Sequence, residues 1–440
     1  MIQLALPVFI ITTILIWQGI TLRWLWLLAA FYVVLYIPFV MQDATYDVDR
    51  QDWFWLLIIP FTLLLIQWVM DRRSTPLDIW LIALIALCLI SAQVAPFDDR
   101  GVKMVMRPLL GVLLAFYLIR LGQFDLQLTM KIVVTFGLFI VISALSTTQW
   151  TDKSSIFHDI IEALDFLPGG EPFFRRNSVN PNEIAGALTW LTPLMAGLAL
   201  YRPWGKVWQA SSAVVLMLMV GAIVLGQSRS AILGLLAALA FVVLITLPRR
   251  WRFIALGGIA VLLILQAMIT FNVFSPDRGM TNRDRRSTNE RVDYWEAAIN
   301  MVADYPLTGV GMNNYRVLAA TGRPYHSDEF NRDPPHTHNE ILQIATDLGI
   351  PGLIVFVGLY LSAGYMTWVC WQKGDRYTRI LALATFSGLL AHAVYGMTDA
   401  IPIWDRLAFI FWGMLGLIAA QHSVVQLPIS NASKGVCVNN

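Results

Sequence analysis

With 57% hydrophobic and only 14% charged side chains, this 440-residue chain is too apolar for an ordinary water-soluble fold. A formal net charge of +2 offers nucleic acid no bulk attraction. The cysteines Cys88, Cys370 and Cys437 are too far apart for a disulfide framework or a CxxC redox centre. From the N-terminus, the chain is apolar from Ile2, with no basic region and no small-residue cleavage site, so it starts as a retained span rather than a removed signal. Apolar stretches of about 17 to 22 residues, enough to cross a hydrocarbon core, follow at 3–19, 22–40, 53–70, 78–95, 105–121 and 130–147. A second group occupies 182–201, 206–226, 230–247, 252–272, 349–371, 379–397 and 403–421. The first two are separated only by a turn around Gln18 to Arg23, so one segment can be re-entrant. The expected fold is all-α, one integral membrane unit over residues 1–440 with 12–13 spans.

The connectors set the orientation, because short loops rich in Lys and Arg stay in the cytoplasm. Basic connectors alternate along the chain: Arg23; Arg72 and Arg73; Arg120 and Lys131; Arg202 and Lys206; Arg249, Arg250 and Arg252; Lys373, Arg376 and Arg379. The intervening connectors, Asp43 to Asp52, 148–181, the turn at Ser228 and a loop over 273–348, then face outward. Arg100, Lys103 and Arg107 break this alternation beside Asp98 and Asp99, as an interfacial cluster or as a place for an anion. The 273–348 loop is polar, rich in arginine and too long for a simple connection, so it is the expected carrier of a site. Within it, Val292, Trp295, Ile299 and Val302 recur at helical spacing over Glu290 to Asp304, predicting an amphipathic helix on the membrane surface. Asp304 to Leu307 ends that helix and Gly309-Val310-Gly311 turns the chain.

Four groups of residues can carry chemistry. His336-Thr337-His338-Asn339 puts two imidazoles at the mouth of a span beginning Gly349-Ile350-Pro351-Gly352, where an imidazole can take a proton from a hydroxyl. The competing reading is a metal site on the His-x-His pair completed by Asp328, Glu329, Asp333 or Glu340. Arg229, in the outer turn, and Arg291, on the loop helix, offer planar forks that match phosphate oxygens. Both also read as snorkelling or locally paired arginines. Arg175 and Arg176 add positive charge before Asn180-Pro181-Asn182, whose asparagines are natural helix caps.

Taken together these residues resemble the O-antigen ligase superfamily, which includes O-antigen ligases, O-polysaccharide polymerases and protein O-oligosaccharyltransferases. His338-Asn339 followed by Gly349-x-x-Gly352 looks like its histidine motif, and Arg229-x-x-x-Leu233 looks like its arginine motif. Arg291 with Trp295 and Pro306-Leu307-x-Gly309-Val310-Gly311 resembles its large-loop segment, and Asn180-Pro181-Asn182 its earlier outer-loop signature. The resemblance covers about 165–360. It implies a metal-independent, inverting glycosyltransferase that needs no cofactor, in the bacterial inner membrane, with its active site on the periplasmic face. The donor would be an undecaprenyl pyrophosphate-linked glycan, and the acceptor a hydroxyl of lipid A core or of a growing polysaccharide. Carried over, His338 is the base, Arg229 and Arg291 hold the pyrophosphate, and His336, Arg175, Arg176, Asn180, Asn182 and Asn339 are accessory. The short chain after the last span, without a large outer domain, argues against a protein acceptor. Ligase activity is favoured over polymerase by Arg229-x-x-x-Leu233. Two other classes compete: a metal-dependent, lipid-phosphate-sugar glycosyltransferase using Asp47-Val48-Asp49, and a transporter of lipid-linked sugars, which the scarcity of charge in the deep spans disfavours.

Overall fold

The computed structural model describes residues 74–94, 125–148, 150, 180–201, 205–270, 282–321, 325 and 336–426, with scattered positions between 104 and 119. Among the described residues the ordered elements are helices, in the order α1 (Asp78–Val94), α2 (Leu126–Thr147), α3 (Pro181–Leu200), α4 (Lys206–Gly226), α5 (Arg229–Thr246) and α6 (Arg249–Thr270). There follow α7 (Asn282–Asp304), α8 (Asn314–Thr321), α9 (Glu340–Lys373) and α10 (Arg376–Tyr395), then a 3-10 turn (Arg406–Ala408) leading into α11 (Phe409–Gln426). Seven of the described helical segments are long and apolar enough to cross a membrane. The helical, multi-span expectation therefore holds. The three most N-terminal expected spans lie outside the described residues, so the full count of 12–13 belongs to the sequence reading.

Local sequence explains the ends. Asn180 caps α3, its side chain accepting from the Asn182 N–H at 2.9 Å, and Pro181 fills the first helical position, where no N–H is needed. Gln227 closes α4 in the left-handed region at φ 47°, and Ser228 caps α5 one residue later. This two-residue joint is the tight turn expected near Ser228. Helices α3, α10 and α5 pack as neighbours, as do α9, α10 and α11. Close crossing needs small side chains, because helices in a membrane gain little from expelling apolar surface and rely on van der Waals contact. Gly388 of α10 is such a point: a Cβ there would stand 1.9 Å from the Trp190 carbonyl oxygen of α3.

Helix α9 is the element that organises the end of the bundle bearing the large loop. It begins at Glu340, earlier than the expected span start at 349, and it breaks at Gly349 (φ 71°, ψ −173°), two residues before Pro351. The break opens the helical hydrogen bond that would join the Ile350 N–H to the Thr346 carbonyl. Both halves are satisfied from the large loop: Val310 N–H donates to Thr346 O at 2.8 Å, and Ile350 N–H donates to Pro306 O at 2.8 Å. Two glycines in the left-handed region make room for this interlock. A Cβ on Gly309 (φ 64°) would meet Thr346 O at 2.4 Å, and a Cβ on Gly349 would meet Pro306 O at 2.7 Å.

Helix α7 is longer than the 290–304 expected, starting at Asn282, and it is apolar on two sides. Val292 and Ile299, from the expected membrane face, are 55% and 56% exposed. The opposite side buries Tyr294, Ala297, Ala298 and Met301 with Val310, Tyr315 and Ala319, which the apolar spacing alone did not single out. A Tyr315 hydroxyl bond to the Tyr294 carbonyl, 3.0 Å, closes this small core.

Because the interlock needs a positive φ at both glycines and tolerates no Cβ, Gly349→Ala should cost roughly 2 kcal/mol or more. The expected result is a lower thermal midpoint in detergent, with Gly257→Ala, whose Cβ would meet open space, as the neutral control. Equal midpoints for the two variants would contradict the interlock.

Candidate functional site

The site forms where three separate segments meet: the loop 336–339 before α9, the strap 396–405 between α10 and the 3-10 turn, and the start of α3. Asn339 fixes the first, capping α9 through Leu342 N–H (3.0 Å) and donating from Nδ2 to the Met397 carbonyl (3.0 Å). Thr337 N–H donates to the Gln343 side chain at 2.9 Å. Between these anchors His338 is driven into the left-handed region, φ 52°, an unusual conformation for a residue with a Cβ, of a kind that gathers at functional sites.

The group that receives His338 is Asp399, 5% exposed. His338 Nδ1 lies 2.9 Å from Asp399 Oδ1. With Nδ1–H donating to the carboxylate, Nε2 is the nitrogen that carries a lone pair and can accept a proton. The Tyr294 ring stacks against the imidazole with centroids 5.6 Å apart and planes 18° from parallel, so α7 helps set the ring plane. Asp399 is otherwise well supplied: its other oxygen accepts from the Asn182 amide, and the Ala400 N–H donates to Oδ1 at 3.0 Å. Burial works to raise its pKa, but the hydrogen bond and charge of His338, with His336 and Arg291, hold the carboxyl well below the usual carboxylate range.

His336 stands beside this pair, its ring centroid 4.3 Å from that of His338 and its Nε2 3.9 Å from Asp399 Oδ1. Burial, reinforced by His338, pushes its imidazole down to about 3. Its Nδ1 accepts the His338 backbone N–H at 3.1 Å, so Nε2 carries the proton of the neutral ring. This bears on the metal reading. His336, His338 and Asp399 are, among the described residues, the one His/Cys/Asp/Glu group whose donor atoms lie close enough to share an ion, all within 4.8 Å. To bind it, His336 would have to release the Nε2 proton or give up its backbone bond, whereas His338 could coordinate through Nε2 and keep its bond to Asp399. The His336 backbone bond is the feature of this donor set that opposes a metal centre. Of the oxygen ligands weighed for a metal, Glu340 turns to the strap instead, and Asp328, Glu329 and Asp333 lie outside the described residues.

The other residues singled out from sequence are distributed as follows. Arg291 of α7 is close enough that its charge acts on both His336 and Asp399, and its Nε is buried without a hydrogen-bond partner. Arg229 is exposed at the first position of α5, next to Ser230, whose hydroxyl is 2.6 Å from that of Thr398. The α5 N-terminus therefore borders the strap one residue from Asp399. Asn182 joins the cluster through its side chain, while Asn180 caps α3. Arg175 and Arg176 lie outside the described residues, as does Asp47-Val48-Asp49. Sequence reasoning missed Asp399 as a member of the site. Its one signal was a carboxylate placed just after an apolar helix and before Pro402, a place where a solvated charge and a buried acid look alike.

The fold and cluster define a class: a multi-pass helical membrane protein with an acid–imidazole pair and an arginine at one end of its bundle. Residues 214–357 match the family described as O-antigen ligase, the family that the motifs resemble. That segment contains Arg229, Arg291, His336 and His338, whereas Asn182 and Asp399 fall outside it. Over 76 residues the chain is also 33% identical to a protein of Rickettsia conorii named "Putative polysaccharide ligase". The aligned stretch covers 17% of this chain and 18% of that protein.

The charge arrangement gives stability a definite pH dependence. His336 ordinarily titrates near 6.5 and is held near 3 when folded, so below pH 6.5 the unfolded chain binds a proton that the folded one refuses. Asp399, depressed when folded, contributes stability that is present above the ordinary carboxylate pKa and is lost as pH falls toward its own. Both terms act in one direction on acidification. The thermal midpoint should fall between pH 6.5 and about 4, and His336→Gln should flatten that slope; a midpoint that rises on acidification would contradict a neutral, buried His336.

Proposed function

We propose that this protein is an inverting glycosyltransferase of the O-antigen ligase type. In this reading it moves a glycan from an undecaprenyl pyrophosphate carrier to a hydroxyl of a lipid A core-like acceptor, at the periplasmic face of a bacterial inner membrane. The observation that carries the proposal is the 2.9 Å contact of His338 with the buried Asp399 beside the charge of Arg291. A proton acceptor and a cation meet there, and a hydroxyl attacking a sugar with a diphosphate leaving group requires both.

The reaction follows from the tautomer. Asp399 accepts the Nδ1–H of His338, orients the ring and stabilises the imidazolium that forms. His338 Nε2 takes the proton from the acceptor hydroxyl as its oxygen bonds to the anomeric carbon. The bond from that carbon to the diphosphate oxygen breaks on the opposite face, and a single displacement inverts the configuration. Negative charge gathers on the departing diphosphate. Arg291, with Arg229 reaching from the α5 N-terminus, stabilises that charge more in the transition state than in the ground state, which is what accelerates the step. Guanidinium groups do here what a divalent ion does elsewhere, so the reading requires neither metal nor cofactor. A polymerase using the same donor would perform the same displacement on a different acceptor, a growing polysaccharide.

The test is transfer by purified protein from lipid-linked glycan to lipid A core, with chelator present. His338→Ala and Arg291→Ala should each lower turnover by roughly 10²-fold or more, and Asp399→Asn should lower it while leaving the helical content intact. Arg229→Ala should act mainly as a loss of donor handling. Full activity in His338→Ala, or activity abolished by chelator and restored by a divalent ion, would overturn this mechanism.

A further inference from the structure

Turn bonds from the Thr398 and Asp399 N–H groups to the Tyr395 carbonyl hold the near side of the strap to the end of α10, and its far side needs a further anchor. The first turn of α9 supplies it. The Glu340 N–H donates to the Gly396 carbonyl at 2.7 Å, and the Glu340 side chain reaches along the strap, Oε2 accepting the Ile401 N–H at 2.9 Å. These two bonds clamp the strap on either side of Asp399. Farther along, the Trp404 indole donates to Asp347 Oδ2 at 2.7 Å, anchoring the strap's distal end to the same helix.

A buried glutamate is a costly way to hold one backbone N–H unless its surroundings suit it. Glu340 is 6% exposed, and the group facing it is His392 of α10, 1% exposed, with Nε2 3.9 Å from Oε2. That separation is too long for a hydrogen bond, and His392 Nε2 has no partner. His392 Nδ1 lies 3.1 Å from the Gly186 carbonyl, which can only accept, so Nδ1 carries a proton and is committed to that bond. Trp190 stacks on the same ring at 3.6 Å, fixing its orientation. The pair is therefore not a hydrogen-bonded ion pair. Glu340 has one polar contact with the strap through its side chain, as an acceptor.

We propose that Glu340 is a positioning residue that sets Asp399 under His338 by accepting the Ile401 N–H, and that reach rather than charge is what its side chain contributes. The proposal rests on the His338–Asp399 reading above. It distinguishes two substitutions that simple conservation of charge would rank the other way. Glu340→Gln keeps the length and an acceptor oxygen for Ile401. Glu340→Asp keeps the charge but draws the acceptor back by one methylene, about 1.5 Å, leaving the Ile401 N–H unmet.

The experiment compares wild type, Glu340→Gln, Glu340→Asp and Glu340→Ala by glycan transfer from lipid-linked donor and by amide exchange of the strap, read by mass spectrometry. Glu340→Asp should lose roughly 10²-fold in kcat with donor KM little changed, because a displaced base costs chemistry rather than binding. Glu340→Gln should recover most of the turnover. Exchange over 397–404 should be faster in Glu340→Asp and Glu340→Ala than in wild type and Glu340→Gln. If Glu340→Ala fails to insert, the Gln and Asp pair decides alone. The reverse order, an active Asp variant and an inactive Gln variant, would overturn the proposal in favour of a charge requirement, and so would unaltered kcat in an Asp variant with a loosened strap. Should wild type transfer no glycan, the enzymatic reading fails, while the exchange pattern still reports whether Glu340 holds the strap.

Discussion

The loop-bearing end of this protein depends on one hydrogen bond that α9 does not make. A continuous helix would join Thr346 to Ile350, but the break at Gly349 opens that bond and presents its two halves to the large loop, which closes on them through Val310 and Pro306. Backbone groups left open at this depth would be costly, so the loop cannot leave without exposing both. The consequence is that the segment from Pro306 to Val310 is held against α9. Helix α7, which brings Arg291 and Tyr294, is thereby tied to α9, whose first residues follow directly from His338. The two motifs Pro306-Leu307-x-Gly309-Val310-Gly311 and Gly349-x-x-Gly352 look independent in the sequence, yet they are the two sides of this joint.

The second constraint is the burial of Asp399. A carboxylate at 5% exposure needs compensation, and it draws this from residues far apart in the chain: His338 is 61 positions away and Asn182 is 217. Each partner rests on an ordinary device. Asn182 is presented by a capped helix start, His338 by a turn between Thr337 and Asn339, and Asp399 by a strap clamped to the first turn of α9. None of these elements makes the site alone. The carboxylate remains ionised because the imidazole and the arginine charge outweigh the cost of burying it.

This explains what could be read from the sequence and what could not. Spans such as α4 and α5 were legible because a bilayer imposes length and apolarity on each helix separately, without reference to its neighbours. His338 and Arg291 were legible because short spacings preserve a motif, and Asn180 because a cap is a local contact. Asp399 was not, since nothing within a few residues of it indicates that it meets an imidazole from another segment. The inward face of α7 was missed for a related reason. Val292 and Ile299 stand out by hydropathy, while the face that packs relies on Ala297, Ala298 and Met301, residues that apolar periodicity ranks lower. Glu340 was legible as a carboxylate but was considered with the wrong partners, as a metal ligand beside the histidines instead of an acceptor for the strap.

The interlock and the buried acid also bear on how an arginine can serve in place of a metal. A metal ion brings its geometry with it, since its ligands fix the charge in place. A guanidinium on a surface loop has no such fixity, and stabilising a transition state requires charge that is already in position before the reaction begins. Helix α7 would be a poor platform if it were held only by its apolar contacts with α8 and α9. Joined to α9 by two backbone hydrogen bonds through glycines that admit no side chain, it holds Arg291 at a fixed place relative to His338, which is what the proposed metal-free transfer asks of the pair. On this argument the glycines belong to the chemistry as much as the charged residues do, because preorganisation of Arg291 is supplied by the backbone.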